Sequence, residues 1–249
     1  MVEFTIRIAG RVVAVSALFE STRKFCAGYI CDEKPDFAVT ITEQDIAFER
    51  EKAAKEDAIE GVPIRNLGDA QLEETAVQRK ITEELFAFDT LLFHGSVIAV
   101  DGEAYLFTAK SGTGKSTHTR LWRELLGDRA VMVNDDKPFL QLTEDGVNVY
   151  GSPWNGKHKL GSNICVPLKA ICILERGEQN EIKEIPASEA VYMMLQQTNR
   201  PMRAKWMPKY MELLDKLSEK LTFYRLLCTI DPQAAALAYE AMSGKRLEK

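Results

Sequence analysis

The segment Ala109-Lys110-Ser111-Gly112-Thr113-Gly114-Lys115-Ser116-Thr117 constrains this chain more than any other. Two glycines and a Lys-Ser-Thr triplet stand between a β-rich run, 103–108, and a helical pattern, 117–126. Gly112 and Gly114 allow positive φ and close approach of the backbone, so successive N–H groups can face one concavity. A helix starting there adds the positive end of its dipole, and together these features suit phosphate. Lys115 supplies a point charge for β- and γ-phosphates, and Ser116 a hydroxyl for Mg²⁺. The strict pattern Gly-x-x-x-x-Gly-Lys-[Ser/Thr] fails only at its first position, Ala109, which fits if that residue keeps φ negative. A ligand-free turn between strand and helix is the plainer alternative. The flanking strand and helix favour a nucleotide cradle made of Ser111, Gly112, Thr113, Gly114, Lys115, Ser116 and Thr117.

Bound phosphates need a metal partner, and an apolar strand that ends in carboxylates is a common source. The run 130–133 ends in Asn134-Asp135-Asp136, with Asp135 20 residues after Lys115, as strand–loop–helix–strand requires. Adjacent carboxylates repel each other unless a cation lies between them, which favours a site over a solvated turn. His94, between Phe93 and Gly95, reads by itself as a core histidine. Its place one hairpin upstream of the glycine loop makes it a candidate to converge with Asp135 on a γ-phosphate. His118 and His158 have weaker claims.

The remaining sequence reads as an ordinary globular protein of 249 residues with a net charge of −5. Neither sign of charge forms a long block, which argues against a nucleic-acid partner. No apolar run approaches the roughly 20 residues of a membrane helix, and the N-terminus lacks the regions of a signal peptide, so the expectation is a cytoplasmic protein with no membrane partner. The five cysteines form no Cys-x-x-Cys pair and are expected to be reduced and structural, with Cys165, Cys172 and Cys228 buried in apolar runs.

Runs 4–8, 11–15 and 37–42 read as strands, the first two joined at Ala9-Gly10. Thr42 and Asp45 resemble a capping box that opens a charged helix, whose charge run reads as a solvated face. Breaks at 61–63 and 66–68 mark a linker, and an amphipathic helix follows from Leu72 to Phe88. The pattern divides the chain into a small α+β region, 1–68, and a nucleotide-binding domain, 69–249. In the second part, 96–100 and 103–108 flank Asp101-Gly102, a strong hairpin signal, and 139–142 pairs with 147–150 across a second turn. Run 170–174 is a buried strand and 223–228 a further one, while 188–197, 208–221 and 232–243 are helical. The fold class is α/β, a mixed twisted sheet around the phosphate loop with a β-rich N-terminal region and a mainly helical C-terminal part.

His94-Gly95, a hairpin, Ser111-Gly-Thr-Gly-Lys-Ser-Thr117 and a strand closing on Asp135-Asp136 together resemble the catalytic domain of the HPr kinase/phosphorylase group. That group is itself similar in its nucleotide core to ATP-dependent phosphoenolpyruvate carboxykinase. The resemblance covers about residues 88–180. It implies ATP- and Mg²⁺-dependent transfer of the γ-phosphate to a hydroxyl of a peptide, a protein serine or a small molecule. By the same resemblance Asp135 is the base, assisted by His94; Asp136 and Ser116 ligate Mg²⁺; and Lys115 holds the β/γ-phosphates. Related kinases are often oligomers, so a homo-oligomer is among the expected partners. A non-catalytic ATP-binding module, a carboxykinase-like enzyme and simple ATP hydrolysis are the competing functions.

Ala109 and the long loop 151–161 depart from that group's pattern, which leaves the acceptor open. Lys137, Lys157, Lys159 and Arg200 are candidate anion binders. The loop carrying Lys157 and Lys159 can act as a lid over the phosphates or as a solvated loop, and Trp154 can stack on a base or pack the loop down.

Overall fold

The computed structural model describes residues 1–110 and 112–247, with the side chain of Glu60 left out. Ser111 of the expected cradle lies outside the described residues. The protein is a mixed α/β fold in two compact units, Met1–Leu85 and Phe86–Lys249. The division falls after the helix that the sequence pattern assigns to the second part.

In the first unit, β1 (Val2–Ile8) and β2 (Arg11–Ala17) form the expected antiparallel hairpin, and β3 (Phe37–Thr40) joins β2 in parallel. Ala9 and Gly10 turn with φ of 49° and 74°, the left-handed pair that a two-residue hairpin with native twist requires. Three helices complete the unit: α1 (Glu20–Phe25), α2 (Glu43–Glu60) and α3 (Asp69–Leu85). Thr42 and Asp45 make both halves of the capping box. The charged face of α2 is not wholly solvated. Glu49 and Asp57 are 2% and 1% exposed, and they are paired with Arg79 of α3 and with Arg65, because a buried carboxylate needs a charged or N–H partner. Glu73 of α3 is also buried and accepts the backbone N–H groups of Leu18 and Phe19, so it caps the start of α1 from a distance.

The second unit is built on a nine-stranded sheet. Its elements in order are β4 (Thr90–Leu92), β5 (Ser96–Val100), β6 (Glu103–Thr108), α4 (Lys115–Leu126), β7 (Ala130–Asn134), β8 (Phe139–Leu142), β9 (Val147–Tyr150), β10 (Cys165–Arg176), β11 (Glu181–Ile185), α5 (Ala187–Gln197), α6 (Met207–Lys220), β12 (Thr222–Cys228) and α7 (Gln233–Ser243). The order across the sheet is β4-β8-β9-β10-β6-β5-β7, with β12 beside β10 and β11 beside β12. Only β6–β10 and β10–β12 are parallel. The strand expected over 170–174 is longer at both ends and does two jobs. Cys165 to Pro167 pair with β9, then a bulge between Leu168 and Ala170 re-aims β10 so that its second half lies between β6 and β12. This bend curls the sheet. β11, with its alternating Glu181-Ile-Lys-Glu-Ile185, has no counterpart among the strands expected from sequence and closes the edge beyond β12.

Period-two alternation sorts the strands between two cores. Val97, Ala99, Ala104, Leu106, Ile171 and Ile173 face one core, which contains Leu213, Leu214 and Leu217 of α6. Ile98, Val100, Tyr105, Phe107, Cys172 and Leu174 face the other, with Trp122 of α4 and Tyr239 of α7. Trp122 is fully buried, its ring 5.1 Å from Phe107 and 5.7 Å from Tyr239, so the helix after the glycine loop is anchored by aromatic packing. Cys172 is buried as expected, whereas Cys165, in the part of β10 that pairs with β9, is exposed and Cys228 is only half-buried; all five thiols are free.

The Nε2 atom of His118 accepts a hydrogen bond from the Trp122 indole at 3.1 Å, and burial pulls its pKa down to about 4. The unfolded chain, with an ordinary histidine near 6.5, therefore takes up this proton first. His118 lowers stability as pH falls from about 6.5 toward about 4, by roughly 3 kcal/mol once the window is crossed. Urea titrations at pH 7 and pH 4.5 check this: His118→Gln should lose much less stability between the two than the wild type does. Equal losses would remove His118 as the cause.

Candidate functional site

β6 runs through the middle of the sheet and delivers the chain to Ala109, which is fully buried. Gly112 and Gly114 then take φ of 74° and 123°, as a loop that turns its amides inward requires, and a Cβ there would meet no other atom within 4 Å. The glycines thus serve backbone conformation and not close packing. α4 starts at Lys115, two residues before the sequence pattern suggests, with Gly114 as its N-cap. Its first turn has no side-chain cap, so its free N–H groups are available to an anion. Lys115 folds back so that its Nζ donates to the carbonyl of Ala109 at 3.3 Å. Burial depresses its pKa, Asp136 opposes that effect, and Lys137 adds to it. Arg176, at the end of β10, donates to the carbonyl of Gly112 at 2.7 Å and steadies the loop from the far side. Sequence reasoning missed this residue because only the long parallel register of β10 with β6 brings it there.

β7 lies at the edge of the sheet and ends at Asn134. The Asn134 side chain is fully buried; its oxygen accepts the N–H groups of Asp136 and Lys137 at 2.8 and 2.6 Å, and its nitrogen donates to the carbonyl and hydroxyl oxygens of Ser152. One asparagine therefore fixes the turn carrying both carboxylates and ties it to the start of the 151–161 loop. The two aspartates diverge. Asp136 receives a contact from His94 Nε2 at 3.0 Å. Asp135 instead lines the hollow of Ser116 and Arg123, and its Oδ1 accepts the Gly156 N–H at 2.6 Å. Burial pushes the Asp136 carboxyl up, but the His94 hydrogen bond and the charges of Lys137, His94 and Lys115 outweigh it and hold its pKa below the ordinary value. His94 is thus brought to Asp136, not to the Asp135 that the resemblance pairs it with. The position of His94 is itself constrained: a Cβ on Gly95 would lie 2.9 Å from a Leu106 side-chain carbon, and the backbone N–H of Gly95 donates to the carbonyl of Asp136.

The 151–161 loop is half packed and half exposed. Ser152, Pro153 and Trp154 are buried, with Trp154 against Phe139 at 6.3 Å in an edge-on arrangement, so this tryptophan packs the loop down. A Cβ at Gly151 would fall 1.9 Å from the carbonyl oxygen of Ser162, which explains a glycine there. Lys157, His158 and Lys159 form an exposed tip, and Arg200 is exposed elsewhere. Lys137 is half-buried beside Asp136.

Two hollows flank the first turn of α4. One, of about 600 Å³, is lined by Gly112, Gly114, Arg176, Gly177, Thr229 and Ile230, among others. The other, of about 470 Å³, is lined by Ser116, Arg120, Arg123, Asp135 and His158, among others. Thr117 lines both. Among the described residues no group of three or more His, Cys, Asp or Glu side chains could hold a metal by itself. A Mg²⁺ bound largely through phosphates and water would need only one or two protein oxygens. Ser116 and Asp135, which line the same hollow, and Asp136 are oxygen donors of that kind. No helix among the described residues is long and apolar enough to cross a membrane.

No curated protein matches the chain. Among solved structures, the Hpr(Ser) kinase/phosphatase from Coxiella burnetii is similar at 12% identity over 61% of this chain and 93% of that one, with a TM-score of 0.35. The sequence profile of the SynChlorMet cassette protein ScmC family matches residues 71–234, more than half of the chain, and the chain belongs to that family.

Proposed function

We propose that the protein is an ATP- and Mg²⁺-dependent phosphotransferase that moves the γ-phosphoryl group to a hydroxyl. The observation that carries this reading is the presence of two hollows beside the first turn of α4, which share Thr117 in their linings, one with the glycine loop and the other with Ser116 and Asp135. A kinase needs a donor pocket and an acceptor pocket that open onto one phosphate site, whereas a module that only binds nucleotide needs one. The motif resemblance to the HPr kinase/phosphorylase group supports the same reading.

The larger hollow, with Arg176 and Ile230, takes the nucleoside end, and the glycine loop and Lys115 take the phosphates. The acceptor enters the hollow of Asp135. There Asp135 removes the hydroxyl proton, the acceptor oxygen bonds to the γ-phosphorus, and the bond to the β–γ bridging oxygen breaks to release ADP. Ser116 and Asp136 would hold Mg²⁺, which would supply charge neutralisation on the phosphate oxygens. His94 keeps Asp136 ionised and oriented, acting on that carboxylate and not on the base. Catalysis of this kind rests on positioning and electrostatics, with no covalent intermediate on the protein.

The test is Mg-ATP turnover, alone and with pooled hydroxylated metabolites and peptides, following both free phosphate and labelled product. Acceptor-dependent labelled product is the expected result. ATP binding with neither transfer nor hydrolysis across the pool would overturn the reading in favour of a binding module, and phosphate release indifferent to acceptor would favour simple hydrolysis.

A further inference from the structure

The acceptor hollow holds more positive charge than deprotonating a hydroxyl requires. Ser116, Thr119, Arg120 and Arg123 all line it, at spacings of three, four and seven residues that put them on one face of α4. His158 of the exposed loop tip faces the same space. The two arginines differ in their partners. Arg120 is engaged by Glu124 at 2.6 Å. Arg123 makes no side-chain ion pair or hydrogen bond among the described residues, and its Nε atom is buried without a hydrogen-bond partner. The side chain is otherwise half-buried and lines the hollow, so its guanidinium end is free to fork onto a carboxylate or phosphate that supplies two parallel acceptors.

From this we infer that the hollow binds an anionic group through Arg123, with Arg120 and His158 beside it. On the phosphotransferase reading, on which this step rests, the acceptor is then a hydroxyl compound that also carries a carboxylate or phosphate. The spacing agrees. Ser116 and Arg123 are seven residues apart, about 10 Å along the helix axis. Side chains lean toward the helix N-terminus, so the guanidinium closes much of that gap. What remains suits a small acid whose hydroxyl sits beside Asp135 while its charged end rests on Arg123. The same arrangement discriminates against neutral alcohols, which would leave the guanidinium unpaired.

The experiment titrates malonate and, separately, inorganic phosphate into the wild type, Arg123→Gln, Arg123→Lys and Lys115→Met, with ATP binding measured on each. The wild type is expected to bind at least one anion saturably. Arg123→Gln should weaken that binding at least tenfold, and Arg123→Lys should recover only part, because an ammonium lacks the two-pronged fork. Lys115→Met should keep the anion site while losing ATP. Preference for malonate over phosphate, or the reverse, assigns the acceptor's charged group. Unchanged anion binding in Arg123→Gln, no saturable binding in the wild type, or loss of the anion in Lys115→Met alone would each overturn the inference; the last would put the anion in the glycine loop. A wild type that takes the anion through Arg123 but never binds ATP would sink the phosphotransferase reading and leave the anion site standing.

Discussion

Asp135→Asn is expected to lower acceptor-dependent phosphoryl transfer by roughly 10²–10⁴-fold, the usual contribution of a positioned general base. The amide is close to isosteric, and its oxygen can still accept the Gly156 N–H that now reaches Oδ1 at 2.6 Å, so the loop after β9 keeps its anchor. What disappears is the ability to take a proton. ATP affinity and melting temperature should therefore change little while labelled product falls. Asp136→Asn should do something different. Asp136 lies beside His94 at 3.0 Å and in the field of Lys115, so its loss should appear first as weaker Mg²⁺-dependent nucleotide binding. Steady-state kinetics with titrated ATP and acceptor separate the two patterns. If both variants lose only nucleotide affinity, neither aspartate is the base and the acceptor hollow has another purpose.

The second large effect belongs to Lys115. Lys115→Met preserves the length and most of the apolar stem but removes the charge, and a charge-assisted hydrogen bond to phosphate is worth about 1.5–3 kcal/mol, or roughly 10- to 150-fold in ATP affinity. The charge that accumulates on the transferring group adds a further loss in turnover of roughly 10²–10³-fold, comparable to removing one preorganised electrostatic donor. Without ligand the same change should not destabilise the fold. Burial already depresses the Lys115 ammonium, whose hydrogen-bond partner is the Ala109 carbonyl at 3.3 Å, so the free protein bears this charge for the sake of the bound state. Calorimetric ATP titration beside thermal unfolding tests both halves. Intact ATP affinity in the methionine variant would remove the glycine loop from nucleotide binding.

The local features of the site were legible because they are written in adjacent residues. The glycine loop depends on two positive-φ glycines before a helix, and Gly112 and Gly114 adopt those angles. The Asp101-Gly102 and Ala9-Gly10 hairpins follow from the same rule, and so does the stop of α7 at Gly244, where φ is 72°. The capping box of α2 needs only Thr42 and Asp45. Period-two alternation in β5 and β6 divides their side chains between two cores, since a strand cannot send neighbouring side chains to one face.

Long-range pairing decided the remainder. That Asn134 holds the turn of Asp135 and Asp136 in place depends on Ser152, which the loop after the next hairpin contributes. The pairing of His94 with Asp136 requires the Gly95 backbone to bond to the Asp136 carbonyl, a contact between β5's approach and β7's exit. Arg176 reaches the Gly112 carbonyl only because a bulge lets β10 serve two halves of the sheet, and Arg123 gains meaning only when the 151–161 loop brings His158 across from it. The sequence by itself determined which segments turn, cap and alternate, since those depend on φ/ψ preferences and side-chain period within a few residues. Tertiary structure alone decided which carboxylate meets which cation, because that depends on the register of strands far apart in the chain, and register is fixed by the summed packing of the sheet and not by any one residue's preference.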